Sequence, residues 1–259
     1  MMIAQERYTY ILQSLSEKKI VRVSQLMHAL KVSGETIRRD LEYLEKEGQL
    51  NRVYGGASLV KVDTNQGAFR LRMKNYVEEK NEIAQTALRY ISEGQSIILD
   101  HSTTCLSLAR AIKKRFKQLT IVTNSMEILI EVSDVQSYHI VFCGGQFNSD
   151  ERSCFGEHAK DVVRRLNVDK AFIGIGGVSH REGCTETFYE GADFLHTILD
   201  AAQQKIVLAD NTKFDRATLI KVCELSDIDL YITDSKIKKK VLEKYRGYDI
   251  EIIAGMQEE

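Results

Sequence analysis

From residue 77 onward the sequence alternates between helical and strand-like segments, and this alternation constrains the fold more than any other feature of the chain. Short apolar runs bounded by Gly, Asn or Asp predict strands, while apolar residues at helical spacing predict the helices between them. The alternation indicates an α/β domain with a mostly parallel sheet. The predicted strands are residues 96–99, 120–123, 139–143, 170–175, 205–209 and 230–233, and the predicted helices are 78–91, 105–116, 126–133, 159–166, 191–202 and 237–245.

Polar residues follow most of these predicted strands. In a parallel sheet the carboxyl ends of the strands share one edge, and ligands of α/β proteins bind there. Residues 100–104 (DHSTT) lead straight into a helix, where hydroxyls and free backbone N–H groups suit a phosphate monoester. Helix capping by Ser102 or Thr103 is the simpler explanation of that motif taken alone. The other polar or glycine residues at strand ends are Asn124, Gly144, Gly145, Asp210, Lys213 and Asp234.

The first 60 residues follow a different pattern, which predicts three helices and a two-stranded wing. Ile37, Leu41 and Leu44 lie at helical spacing and predict the apolar face of the third helix. Arg38 and Arg39 then lie on its other face, where arginine can bind guanine in a major groove. The alternative is a three-helix bundle whose arginines are solvated or paired with Glu35 or Glu42. Residues 61–75 have weak periodicity and are interpreted as a linker.

Charge is distributed unevenly along the chain. Residues 1–75 contain 13 Lys+Arg against 8 Asp+Glu, whereas residues 76–259 contain 23 against 29, so that net charges of +5 and −6 nearly cancel. A basic first quarter followed by an acidic remainder is expected when only one module meets a polyanion. The chain has no run of 18 apolar residues, no signal peptide and no C-x-x-C pair, so we expect a cytoplasmic protein with no membrane segment.

The third predicted helix and the wing carry a motif of known type. Residues 32–48 (VSGETIRRDLEYLEKEG) and 52–57 (RVYGGA) together resemble the winged helix-turn-helix of the DeoR family of bacterial transcription regulators. The resemblance implies that this helix docks in the major groove of a double-stranded DNA operator. It assigns DNA contacts to Ser33, Thr36, Arg38 and Arg39 in the helix and to Arg52 and Tyr54 in the wing. Asp40 has an alternative role, which is to orient an arginine by an ion pair.

The strand-end motifs resemble the effector domain of the same family in the same order, so the resemblance covers nearly the whole chain. It implies an α/β fold similar to ribose-5-phosphate isomerase and CoA transferases, and a phosphorylated sugar or sugar alcohol as effector. By position, Ser102, Thr103 and Thr104 would hold the phosphate, and Lys213 would supply a cation. Hydroxyl groups of the effector would be bound by Asp100, Asp210 and Glu190, with Asn124, Gly144 and Gly145 also at the site.

The chain departs from the usual family pattern at four places, one of them a pair of residues. His101 stands where Ser is common, Gly176 where Asp is common and Phe188 where Asn is frequent, and Leu195 with His196 replaces a Lys-Arg pair. These changes would alter the identity of the effector or weaken phosphate binding. His101 is either a ligand contact or a packed polar residue, and the sequence leaves both alternatives open.

The sequence therefore predicts three parts: a winged helix-turn-helix domain (residues 1–60), a linker (61–75) and a sugar-phosphate-sensing effector domain (76–259). The predicted function is regulation, as a repressor, of a carbohydrate-utilisation operon by a homodimer or homotetramer. We expect no catalytic residue, metal or cofactor. One alternative is a sugar-phosphate isomerase with an appended DNA-binding domain. Another is a regulator that has lost its ligand response.

Overall fold

The structure is a computed structural model that describes residues 4–18, 20–46, 50–53, 55–59 and 68–255. The chain divides into two units, the first ending at Gly67 and the second beginning at Ala68. Within the described residues, no helix has the length and apolar character needed to cross a membrane. All five cysteines of the chain are buried free thiols.

The first unit is a winged helix. Its core is formed by apolar residues from all three helices, including Ile11, Leu26 and Leu41, together with Leu50 and Ala57 of the wing. Because the first strand approaches the third closely, a Cβ atom at Gly56 would lie 2.0 Å from the Val21 carbonyl oxygen, which explains the glycine there. The strands are antiparallel in the order β1-β3-β2. The elements are α1 (Ala4–Lys18), β1 (Ile20–Arg22), α2 (Val23–Leu30), α3 (Gly34–Lys46), β2 (Leu50–Val53) and β3 (Gly56–Leu59).

The second unit is built on a seven-stranded parallel sheet, as the alternating pattern predicts. Its strand order is β15-β14-β12-β9-β4-β5-β6. These strands are β4 (Ser96–Leu99), β5 (Thr120–Thr123), β6 (His139–Phe142), β9 (Val168–Gly174), β12 (Ala202–Leu208), β14 (Leu230–Thr233) and β15 (Ile252–Ala254). The helices are α4 (Ala68–Lys74), α5 (Val77–Ala87), α6 (Thr103–Arg115), α7 (Met126–Val132), α8 (Glu157–Arg164), α9 (Tyr189–Ala201) and α10 (Lys239–Arg246), with single 3-10 turns at Leu88–Tyr90, Asn211–Lys213 and Leu225–Asp227.

Helices cover both faces of this sheet. On β4, Ile97 and Leu99 pack into the cluster that contains residues of α5, α6 and α7. Ile98 points the other way, into the cluster that contains residues of α8, α9 and α10. Successive residues of a strand face opposite sides, so two apolar layers require the continuous apolar runs seen in the sequence. The result is a three-layer α/β/α arrangement with the carboxyl ends of the parallel strands at one edge.

The sequence did not predict several short strands of the second unit. They form a hairpin of β7 (Gln146–Asn148) with β8 (Ser153–Phe155), and a small antiparallel sheet of β10 (Gly177–Ser179), β11 (Gly183–Glu186) and β13 (Ile220–Cys223). Each has three or four residues, which is too short for a clear alternation of apolar and polar side chains.

The predicted linker also needs correction where it is described. Residues 68–74 form helix α4 of the second unit, while residues 61–67 lie outside the described ranges. Phe69 is 1% exposed and packs in the core, and its N–H donates to the Asp150 carbonyl at 3.0 Å. The burial of this one aromatic side chain stabilises a helix too short to be recognised from periodicity.

Candidate functional site

Helix α3 presents a polar face away from the core of the first unit. Ser33 caps the helix, since its Oγ accepts the Thr36 N–H at 3.2 Å and lies 2.9 Å from the Thr36 hydroxyl. The Arg38 and Arg39 side chains are 65% and 79% exposed, respectively. Both lie near Glu35, at 3.9 and 3.5 Å, so the surface pairing considered in the sequence analysis is present. Such exposed ion pairs contribute little to folding stability, and they leave both guanidinium groups available to a polyanion.

Asp40 lies on the buried side of α3 and pairs with an arginine of another helix. Its Oδ2 and Oδ1 accept hydrogen bonds from Arg7 Nε and Nη2 at 2.6 and 2.8 Å. The side chains of Asp40 and Arg7 are only 5% and 13% exposed. This hydrogen bonding raises the pKa of Arg7. Asp40 therefore orients an arginine, as one alternative proposed, but the arginine belongs to α1 and the pair fixes α3 against it.

Replacing Asp40 by alanine is expected to lower the free energy of unfolding of the first unit by about 3 kcal/mol, because a half-broken buried ion pair leaves a desolvated charge. Urea unfolding followed by circular dichroism measures this loss. Glu35→Ala is the matched control, since it removes an exposed carboxylate from the same helix and should change stability by less than about 0.5 kcal/mol. Equal effects of the two substitutions would contradict the role given to the Arg7–Asp40 pair.

The predicted wing contacts are described only in part. Arg52 is exposed, its backbone N–H donates to Glu45 Oε1 at 2.8 Å, and its Nη1 lies 3.9 Å from Glu45 Oε2. Tyr54 lies outside the described residues. The β2–β3 hairpin that carries Arg52 is paired through β3 with β1. Arg52 thus sits on an exposed hairpin, as the DNA-contact prediction requires.

In the second unit, Asp100 connects two neighbouring strand ends. It is 1% exposed, its Oδ1 accepts the Ser102 N–H at 2.9 Å, and its Oδ2 accepts the Gly174 N–H at 3.0 Å. Both carboxylate oxygens are thus engaged by the backbone, where the sequence predicted bonds to sugar hydroxyls. In this structure Asp100 holds the start of α6 against the end of β9.

The start of α6 combines a cap with buried threonines. Ser102 Oγ accepts the Cys105 N–H at 3.1 Å, which is the capping role considered from the sequence. Thr103 and Thr104 occupy the first turn and are 6% and 7% exposed. Backbone N–H groups in the first turn of a helix lack partners within the helix, so this end of α6 favours an anion.

Three side-chain atoms along the same edge of the sheet are buried and have no hydrogen-bond partner among the described residues. They are Nδ1 of His101 after β4, Oδ1 of Asn124 after β5, and Oγ1 of Thr233 at the end of β14. Asn124 also fixes the β7–β8 hairpin, because its Nδ2 donates to the Cys154 carbonyl at 2.9 Å. Buried polar atoms are rarely left unpaired, so their position at one edge marks a place where polar ligand atoms would be stabilised.

The two glycines after β6 have different surroundings. A Cβ atom at Gly145 (φ +104°) would lie 2.5 Å from the Phe155 carbonyl oxygen, so this glycine is required for packing against β8. Gly144 (φ +63°) has open space where its Cβ would be. Gly144 is thus required only for its backbone conformation, whereas Gly145 has no room for a side chain; the close ligand approach predicted for both stays a prediction.

Lys213 lies beside Asp210 on the turn after β12. Asp210 is 3% exposed, and its Oδ1 accepts the Thr212 N–H at 3.0 Å. The Lys213 side chain is half-buried, and its ammonium group forms no hydrogen bond or ion pair with a described residue. Burial lowers the pKa of Lys213, an effect opposed by Asp210 and Glu186 and reinforced by Arg216. Glu190, by contrast, is exposed in the first turn of α9, and its carboxylate makes no hydrogen bond or ion pair with a described residue.

Sequence reasoning missed two cations near Asp210 and Lys213. They are Arg72 of α4 and Lys80 of α5. Lys80 is 5% exposed and donates hydrogen bonds to the backbone carbonyls of Arg72 and Asn75. Arg72 pairs through both terminal nitrogens with the Glu151 carboxylate, with Nη1–Oε1 at 3.1 Å. Neither residue follows a strand, so a search of strand ends passes over them. Arg72 lies within residues 61–75, which were interpreted as a linker, and Lys80 lies inside a predicted helix.

Two of the four departures from the family pattern contact each other. The His101 ring meets Phe155 and Phe188 edge-on, with centroids 5.1 and 5.6 Å apart. Gly176 lies where a Cβ atom would be 3.2 Å from Glu186 Oε1, and Leu195 is fully buried in the core. His101 is thus packed against two aromatic rings, and its Nδ1 has no hydrogen-bond partner among the described residues. Among the described residues, no group of three His, Cys, Asp or Glu side chains could hold a metal ion.

A winged helix followed by an α/β unit with a polar sheet edge defines a DNA-binding regulator with a sensor domain. Family comparison agrees: residues 7–62 match the DeoR-like helix-turn-helix domain, and residues 75–235 match the DeoR C terminal sensor domain. The chain belongs to the DeoR family of transcription regulators.

Relatives over nearly the full length agree with this assignment. The HTH-type transcriptional repressor GlcR of Bacillus subtilis is 31% identical over 258 residues, covering 100% of this chain and 99% of the relative. The HTH-type transcriptional regulator GolR of Listeria innocua is 30% identical, covering 93% and 94% of the two chains. The lactose phosphotransferase system repressor of Lactococcus lactis is 28% identical, covering 93% and 95%. As a member of this family the chain is a transcription regulator, and the isomerase alternative is not supported.

Solved structures give a more distant likeness. Ribose 5-phosphate isomerase A from Methanocaldococcus jannaschii is 17% identical with a TM-score of 0.39, covering 53% of this chain and 54% of that one.

Proposed function

We propose that this protein represses an operon for carbohydrate use and that a phosphorylated sugar or sugar alcohol, bound by the second unit, controls its affinity for DNA. The observation that carries the effector assignment is the edge of the sheet where the first-turn N–H groups of α6 lie and where the ammonium group of Lys213 makes no hydrogen bond or ion pair with a described residue. A helix N-terminus and a partly desolvated lysine both favour a phosphate. The unpaired Asn124 Oδ1 would accept a hydrogen bond from a sugar hydroxyl.

The DNA-binding half of the proposal rests on the exposed face of α3. Its guanidinium groups, with Ser33 and Thr36 at the helix start, provide both base-reading and phosphate-binding groups. Arg52 and Tyr54 of the wing remain predicted contacts. Two copies in a dimer, or four in a tetramer, would read repeated half-sites in a cytoplasmic complex with operator DNA.

Release from DNA requires the effector to bind one state of the protein more tightly than the other. A ligand with equal affinity for the DNA-bound and free forms would shift nothing. The effector must therefore stabilise the arrangement that is incompetent for DNA. A regulator without any ligand response is the contrasting outcome.

The test combines two measurements on the full chain. A thermal-shift screen of phosphorylated sugars, each paired with its unphosphorylated sugar, should find a compound that raises the unfolding temperature only in its phosphorylated form. The same compound should release the protein from its own promoter in a mobility-shift assay. No specific retardation at low salt would overturn the DNA assignment. Retardation that no phosphorylated sugar reverses would favour the regulator without a ligand response.

A further inference from the structure

We propose that Cys184 and Cys223 form a redox modification site, in which a hydroperoxide oxidises the two thiols to a disulfide that joins β11 to β13. The site lies in the small antiparallel sheet of the second unit and uses no residue of the predicted effector site or of the DNA-binding face. The proposed function assigns no role to any of the five buried thiols of the chain.

The first observation is the pairing of β11 with β13. These strands are antiparallel, and Cys184 lies directly opposite Cys223 in their register. Side chains that lie opposite each other in an antiparallel pair share one face of the sheet, with Cβ atoms about 4.5–5.5 Å apart. A disulfide needs a Cβ separation of about 3.5–4.5 Å, so a small approach of the two strands is enough. The register shifts between Cys184 and Thr185, so the ladder beside the pair is already irregular.

The second observation is the contact between the two thiols. Both side chains pack in the same apolar cluster of the second unit. The Cys223 thiol donates a hydrogen bond to Cys184, which lowers the pKa of Cys184 and raises the pKa of Cys223. The Tyr231 hydroxyl also lies 3.4 Å from the Cys184 sulfur. Hydrogen bonds to a sulfur stabilise its thiolate, which is the nucleophilic form of cysteine. Cys184 is therefore the sulfur that attacks the oxidant, and Cys223 is the sulfur that completes the bond.

The chemistry balances with a hydroperoxide as the oxidant. The Cys184 thiolate attacks the hydroperoxide, the O–O bond breaks, and the sulfur becomes a sulfenic acid while the leaving oxygen takes up a proton. The Cys223 sulfur then attacks the sulfenic sulfur, the S–O bond breaks, and water leaves with the proton of the Cys223 thiol. Together the two cysteines lose two electrons and two protons, and the hydroperoxide is reduced to an alcohol and water, or to two waters if it is hydrogen peroxide.

The position of β13 gives a small oxidant access to the pair. In the sheet order β10-β11-β13, this strand pairs with β11 alone among the described strands. Cys223 keeps 7% of its surface exposed, and Lys221 and Glu224 on either side of it are exposed residues. A strand held on one side only opens locally at a lower cost than the strands of the large sheet. A hydroperoxide can therefore reach the two sulfurs by a local opening that leaves the large sheet intact.

A second pair of neighbouring cysteines provides a matched control. Burial raises the pKa of Cys143 to about 12, and the nearby Cys154 adds to the shift. Cys154 lies opposite Phe147 in the register of β7 and β8, and Cys143 lies outside both strands. This pair therefore lacks both the facing register and a stabilised thiolate, and we expect it to stay reduced.

The test counts the thiols of the full-length protein before and after brief treatment with hydrogen peroxide. In denaturant, the count should fall by two from the five of the untreated chain. Tryptic digestion without reductant should then yield a linked pair of peptides that carry Cys184 and Cys223, because trypsin cleaves between them at Lys205. Dithiothreitol should restore both thiols. The linked peptides should be absent from Cys184→Ala and from Cys223→Ala, and present in the control Cys154→Ala.

Two results would overturn the proposal. One is an unchanged count of five thiols after treatment of the wild type. The other is a linkage between Cys143 and Cys154 while Cys184 and Cys223 stay free, since that would show that proximity alone, without a facing register, decides which thiols are oxidised.

Thermal unfolding separates a bond that fits the folded protein from one that forms only when the protein opens widely. The disulfide would close the loop of residues 184–223, and one that fits the native backbone should raise the unfolding temperature by about 5 °C or more. Dithiothreitol should cancel this gain. Peroxide-treated Cys223→Ala should show no gain, and it controls for oxidation of methionines. An unchanged or lower unfolding temperature of the disulfide form would contradict the register on which the proposal rests.

Discussion

Replacing Arg38 and Arg39 together by alanine is expected to weaken operator binding by about two orders of magnitude. A guanidinium group bound to a base edge or a phosphate contributes about 1–3 kcal/mol, and two such losses combine to roughly this factor. Both side chains are mostly exposed, and their ion pairs with described residues are weak ones with Glu35, so the double substitution should leave folding intact. Fluorescence anisotropy on labelled promoter DNA measures the affinity directly.

The salt dependence of this variant identifies the kind of contact that was lost. A lost phosphate contact lowers the slope of log K against log salt by about one, whereas a lost base contact relaxes sequence preference and leaves the slope. Arg89→Ala with Arg181→Ala, two exposed arginines of the second unit, is the control and should bind the operator normally. Unchanged affinity in the α3 variant would remove both arginines from the interface.

Replacing Gly174 by alanine is expected to abolish the response to effector while operator binding persists. A Cβ atom at this position would lie 2.3 Å from Ser102 Cβ and 2.5 Å from Ser102 Oγ. Ser102 cannot retreat without losing its cap on α6, and Asp100 holds both segments through the N–H groups of Ser102 and Gly174. Overpacking of this kind costs about 1–3 kcal/mol and would displace the first turn of α6 from the ligand.

The measurement is a mobility shift with increasing concentrations of the phosphorylated sugar found in the screen. The variant should stay on the operator at concentrations that release the wild type, because the clash lies wholly within the second unit. Gly94→Ala is the control: it has a positive φ of +81° and no atom within 4 Å of its Cβ position. The Gly94→Ala variant tests glycine replacement without a clash, and the phosphorylated sugar should release it from the operator as it releases the wild type. Normal release of Gly174→Ala would show that this close approach is irrelevant to sensing.

Regular periodicity made the main elements of this protein predictable. The strands of the large sheet carry short apolar runs because apolar side chains pack on both faces, and the core face of α3 repeats at helical spacing. The strand-end rule likewise located Asp100, Ser102, Asn124 and Lys213 at one edge. What it could not give was the direction of each polar group: the Asp100 oxygens face backbone amides, and Glu190 faces solvent.

Contacts between residues distant in sequence could not be predicted, for a different reason. Arg72 and Glu151 are 79 positions apart, and nothing local to either one specifies the other. In the sequence, Lys80 is an ordinary basic residue of a helix, and its burial is seen only in the structure. Likewise, Phe69 in a seven-residue helix gives no periodic signal. Tertiary packing determines the burial and the partners of these residues, and local sequence patterns do not encode it.

The strand order of the large sheet also imposes an order of events during synthesis. The central strands β4 and β9 are neighbours, and their ends are joined by hydrogen bonds between Ser96 and Asp169, which are 73 positions apart. This pairing must wait until that whole stretch has left the ribosome, and long-range pairing is slow in any case. The pairings among β1, β2 and β3 lie within the first 59 residues and become available much earlier. In a nascent chain, the winged helix of the first unit can therefore form before the large sheet of the second.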